Sequence, residues 1–83
     1  HLSDHIKQNR GAGVEISTAL GIAPSYLSQI ASGHRPAPPA MCVQIERATS
    51  GAVMRWDLRP DDWHRIWPEL VNQPGAPEVV EPA

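Results

Sequence analysis

The chain has 83 residues, a formal net charge of −2, one cysteine, three tryptophans and no phenylalanine. That length gives one small domain with a limited core, so self-association is an expected source of further stability. The lone Cys42 excludes a disulfide framework and a cysteine zinc site, and the absence of an apolar run of roughly 18 residues excludes a transmembrane helix. No signal-peptide pattern is recognised, so a cytoplasmic, nucleoid-associated bacterial protein that meets no membrane is expected, and His1 is set aside as a tag remnant.

Residues 2–8 read as a first helix. Leu2 and Ile6 pair at i, i+4, Ser3 or Asp4 stands near the start to cap free N–H groups, and Gly11 and Gly13 follow. From Gly13 to Gly33 the chain reads GVEISTALGIAPSYLSQIASG, two short helices joined by one tight turn. Ile16, Ala19 and Leu20 give the first of these, at about 14–20, an apolar face, and Leu27 and Ile30 give the second a matching pair. The small Ser17 allows close helix crossing, Gly21 can take the positive φ of a sharp turn, and Ile22 fills the gap between the helices. Pro24 suits a first helical position, with Ala23 a poor N-cap before it. This geometry implies duplex DNA as a ligand; the plain alternative is a helical hairpin that binds nothing.

Residues 34–39 form a proline-rich turn, and a fourth helix spans about 39–49 with Cys42, Ile45 and Ala48 or Thr49 inward and Gly51 closing it. Cys42 reads as a small buried hydrophobe. At 53–59, Met54, Trp56 and Leu58 alternate with Arg55, Asp57 and Arg59, which predicts a short extended segment with one apolar face. Pro60, Asp61 and Asp62 then open a short helix whose apolar face is Trp63, Ile66 and Trp67 and whose length Pro68 limits. The segment 72–83 is rich in Pro, Gly and Glu and is expected to be a disordered tail after a domain at 1–71.

Charge is divided unevenly. Lys7, Arg10, Arg35, Arg47 and Arg55 outnumber the acids of residues 1–56, whereas Asp57, Asp61, Asp62, Glu69, Glu78 and Glu81 dominate the remainder. The helical pair lies in the positive half, which permits DNA binding, and the acidic half belongs away from phosphate.

The helix-turn-helix, the SGHRP turn, the IERAT and GAV segments and the RWDLRPDDW stretch together resemble the Cro-like, YdaS-type transcriptional regulators of prophages and mobile elements, often regarded as antitoxins. The likeness covers about residues 2–70. It implies an all-α, compact λ-repressor/Cro-like domain of about five short helices, operator binding as a dimer or higher oligomer, and repression of nearby promoters. Ala23 departs from the serine or threonine often seen before such a recognition helix.

A recognition helix over 24–32 would turn Ser25, Tyr26, Ser28 and Gln29 to base edges, with Gln29 suited to adenine. Ser32, His34 and Arg35 are expected at phosphates, with Lys7 and Arg10 as further backbone contacts. For Arg35 the alternative is a surface salt bridge. Trp56, Trp63 and Trp67 either complete the core or, with Met54 and Leu58, form a homodimer interface in which the extended segment pairs across a two-fold axis. A protein-binding module using the same tryptophan face is the competing function. His5, His34 and His64 are scattered and no phosphate loop or nucleophile–base set is present, so no enzyme, cofactor or metal is expected.

Overall fold

In the computed structural model, residues 2–79 are described, and among them every regular element is helical. The order is α1 (Leu2–Gln8), α2 (Ala12–Leu20), α3 (Pro24–Ala31), α4 (Pro39–Ala48), α5 (Arg55–Leu58) and α6 (Trp63–Ile66), followed by a 3₁₀ turn at Pro68–Leu70. None of these helices is long and apolar enough to cross a membrane.

The centre of the molecule is α2, which packs against α1, α3 and α4. Its inward positions are Ala12, Ile16 and the half-buried Leu20, spaced four apart, and Ala19 lies exposed beside them. Ser17 is 3% exposed and its hydroxyl donates to Val14 O at 3.1 Å, so the polar group is satisfied while α3 crosses closely. At the end of α2, Gly21 takes φ +69° and Ile22 N donates to Ser17 O at 3.0 Å, the closure by which a left-handed residue stops a helix. Ile22 is half-buried against the core, as its expected plugging role requires. Pro24 opens α3 at a first-turn position, preceded by extended Ala23 with no side-chain cap.

Helix α4 buries Cys42 and Ile45 completely and ends on Thr49, while Ala48 is exposed. The Thr49 hydroxyl donates to Ile45 O at 2.9 Å and accepts from Val53 N at 3.1 Å, which folds residues 50–53 back over the helix end. Val53 is thereby fully buried.

The expected extended segment at 53–59 is instead a helical turn, Arg55–Leu58. Asp57 explains the difference: its Oδ2 accepts from Met54 N at 2.8 Å, closing a turn that a strand would leave open. Only Trp56 points fully inward, and Met54 and Leu58 flank it half-buried, so the alternation marks one turn of helix. The next helix also starts later than the proline suggests, at Trp63, because residues 60–62 form a turn. Asp62 precedes α6 without capping it, its carboxylate being held by Arg59 through Nε at 2.9 Å and Nη2 at 2.8 Å. Trp63 and Trp67 face inward as the spacing requires.

The three indoles are 9%, 3% and 9% exposed for Trp56, Trp63 and Trp67, and Trp56 and Trp63 meet edge to face at 5.6 Å. They join Leu2, Ile16, Leu27, Ile30, Ile45 and Leu70 in one core. Of the expected tail, residues 80–83 lie outside the described residues, as does His1. Residues 72–79 follow turns that set Ala76 and Val79 against the core.

Candidate nucleic-acid interface

Leu27 and Ile30 take α3 into the core, and this fixes which residues the helix presents outward. Ser25, Ser28 and Gln29 are exposed, and Tyr26 is half-buried at the edge of the same surface. Three of the four expected base-contact residues therefore share the outer side of one helix, and Tyr26 borders it.

The chain leaves α3 through Gly33 at φ +84°. The carbonyl of Gln29 collects the reversal: His34 N donates to it at 2.9 Å, Arg35 N at 3.2 Å and the Ser32 hydroxyl at 3.1 Å. Ser32 Oγ also stands 2.7 Å from His34 Nδ1, which donates to it when that nitrogen carries the proton. These bonds fold the segment 32–35 back along the helix. In consequence the Arg35 guanidinium lies 5.9 Å from the centre of the Tyr26 ring, although nine positions separate the two in sequence. The salt-bridge alternative for Arg35 is not what the geometry gives: the ion pairs of the described residues are Arg55–Glu46 and Arg59–Asp62, each at 2.8 Å.

Lys7 comes to this side of the molecule as well. With Ser3, Val14, Pro24, Ser28 and Ser32 it lines a shallow groove between α1, α2 and α3. Arg10 is exposed in the turn between α1 and α2, and nothing among the described contacts brings it to α3. Val14, 66% exposed, is the large apolar side chain most open to solvent in this groove.

The residues expected at a dimer interface are arranged otherwise. Trp56, Trp63 and Trp67 are consumed by the core, so their rings offer little surface to a second chain or another partner, and Met54 and Leu58 are half-buried beside them. With no strand at 53–59, pairing of extended segments across a two-fold axis loses its basis.

Two residues not singled out in the sequence, Arg59 and Glu46, tie neighbouring elements together, and the first of them reaches the turn after α3. Arg59 Nη1 donates to Ala37 O at 2.8 Å while the other two nitrogens grip Asp62, so one guanidinium joins the turn after α3 to the start of α6. This hydrogen bonding holds the Asp62 carboxyl below the usual carboxylate range and raises Arg59. Glu46 Oε2 accepts from both Arg55 N at 3.2 Å and Arg55 Nε at 2.8 Å, and Arg55 also lies over Trp67 at 5.3 Å. The Arg59–Asp62 spacing of three was visible in the sequence, but its reach to Ala37 was not. Beneath this clamp, burial pushes the Cys42 thiol up to about 11, and Sγ stands 3.5 Å from Ala37 O, a structural rather than a reactive cysteine.

The family model described as "Bacterial toxin YdaS" matches residues 3–66. Among curated proteins of Escherichia coli strain K12, one whose name gives it as a candidate transcriptional regulator, YdaS, is 41% identical over 54 residues, 64% of this chain and 55% of that protein. Another, named as a prophage transcriptional regulatory protein, is 36% identical over 47 residues, 57% of this chain and 71% of its own length. The matched part of this chain thus spans about half the length of the first relative.

Proposed function

The chain belongs to the YdaS family, and from that premise we propose that it is a DNA-binding transcriptional regulator that lays α3 in the major groove of an operator and represses a nearby promoter. The observation that carries this reading is the outer side of α3, where Ser25, Ser28 and Gln29 stand exposed on a helix fixed by Leu27 and Ile30 and set by a glycine turn. A helix so placed presents its N-terminal residues to base edges, with Gln29 suited to the N6 and N7 of adenine. Ser32, His34, Arg35 and Lys7 supply backbone contacts around it, with Arg10 as a more distant one. Both relatives are named for transcriptional regulation, which supports the reading.

Two copies on a palindromic site remain part of this proposal, since one small domain reads few base pairs. The second copy would meet surfaces other than the buried indoles.

Fluorescence anisotropy across a salt series tests the assignment, using a duplex enriched from a random pool by the protein and a scrambled control. Gln29→Ala is expected to reduce discrimination between the two by about 1–3 kcal/mol. Arg35→Ala is expected to weaken both alike and to reduce the slope of log K against log salt by about one. If no duplex is enriched, or if both variants bind and discriminate as the wild type does, the operator reading fails.

A further inference from the structure

We propose that Tyr26 is a positioning residue: its ring is a shelf that holds the Arg35 guanidinium along the outer side of α3, aimed at a phosphate beside the groove that the helix enters. The inference rests on the operator reading and assigns Tyr26 a role through Arg35 rather than a base contact of its own.

Three observations carry it. First, the guanidinium carbon lies over the Tyr26 ring, 5.9 Å from its centre, within the range of a cation–π contact. A contact with a ring spends no N–H donor on a carboxylate, so the donors that grip a phosphate in bidentate fashion stay available. Second, the neighbouring arginines are employed differently. Arg59 spends Nε, Nη1 and Nη2 on Asp62 and Ala37, and Arg55 gives its Nε to Glu46. Arg35 spends none of its side-chain donors on a carboxylate of the described residues, so its charge is available to a ligand. Third, the backbone is built to deliver it. Gly33 reverses the chain, and Arg35 N is tied to Gln29 O, the carbonyl of the expected adenine reader. A long side chain with many rotamers is thus held near its working position before the ligand arrives, which lowers the entropic cost of the contact.

The arrangement also accounts for an arginine-free recognition helix inside a protein of net negative charge. Positive charge reaches α3 from beyond its end, borne by a residue whose own position in the sequence lies outside the helix.

The test uses the whole chain. Wild type, Y26F, Y26L, R35A, R35K and the double variant Y26L/R35A are titrated against the enriched and the scrambled duplex over a salt series. Y26F, which keeps the ring, is expected to bind as wild type. Y26L is expected to weaken binding to both duplexes about two- to fivefold and to move the salt slope toward that of R35A. In the R35A background Y26L is expected to cause no additional loss. R35K, whose ammonium has no flat face, is expected to bind between wild type and R35A, a readout that does not depend on Y26L folding. In the free protein, NMR should place the Arg35 side-chain protons upfield under the ring in wild type and Y26F. Additive losses in the double variant, equal losses in Y26F and Y26L, wild-type binding by R35K, or unshifted Arg35 protons would each overturn this inference and leave the operator reading standing. A wild type that binds neither duplex overturns both.

Discussion

Replacing Arg59 with alanine removes a side chain that sits outside the candidate DNA surface yet fixes the turn that carries Arg35. The guanidinium makes one bond to the Ala37 carbonyl at 2.8 Å and a two-pronged pair with Asp62 at 2.8 and 2.9 Å. Its side chain is 22% exposed and that of Asp62 37%, so the ion pair is partly screened and contributes about 0.2–1 kcal/mol. The bond to Ala37 is the larger loss. Ala37 is 1% exposed, and a charge-assisted bond to such a carbonyl contributes about 1.5–3 kcal/mol net. Together these predict a loss of about 2–4 kcal/mol, a sizeable part of the roughly 4–12 kcal/mol usual for a domain of this length. For such a domain the melting temperature falls by roughly 8–32 °C. Urea unfolding followed by circular dichroism measures the loss. Arg59→Lys keeps the charge but lacks the fork, so it should recover less than half of it. A loss below about 0.5 kcal/mol, the scatter of ordinary surface substitutions, would refute the reasoning, as would a lysine variant equal to wild type.

Other consequences follow from the same structure. The Asp62 carboxyl is held below its unfolded range, so its contribution is fully present above the unfolded value near 4 and is lost as pH falls through the lower folded value. The gap in melting temperature between wild type and Asp62→Asn should therefore be steady from neutral pH down to about 4 and close in stronger acid; a gap that widens in acid contradicts it. For Cys42 the shift is upward, from 9.0 to about 11, so stability linked to the neutral thiol is complete below pH 9 and declines as pH rises toward 11. In native protein near neutral pH the thiol should react with a disulfide reagent only as fast as the fold opens, and rapid labelling would contradict the burial argument. Gly21→Ala meets open space but a φ of +69°, so backbone strain alone should destabilise the protein by roughly 1 kcal/mol or more, visible as a lower urea midpoint.

The parts of the fold that the sequence made legible are those governed by local rules. Gly21, Pro24 and the spacing of Ile16, Leu27 and Ile30 sufficed to place α2, the turn and α3, because each acts on its own few neighbours. The outer set Ser25, Ser28 and Gln29 followed by subtraction. At 54–58 the same approach failed, since a run of five residues fits both a strand and one turn of helix, and the deciding bond from Met54 N to Asp57 leaves no mark on hydropathy. The start of α6 was misplaced for a similar reason: Arg59, three positions back, holds the Asp62 carboxylate away from the cap. Contacts between distant positions, Arg59 with Ala37 and Arg35 with Tyr26, needed the backbone to bring them together.

The distribution of aromatic rings gives the molecule two optical reporters in separate places. All three indoles lie in the half built from α5, α6 and the 3₁₀ turn, sealed from solvent, whereas the one phenol stands on α3. Indole emission should therefore follow the closing and opening of the interior and change little when a ligand lies against α3. The phenol signal should respond to that ligand through Arg35, which lies over the ring. Unfolding and capture can thus be watched as independent events in one unlabelled sample.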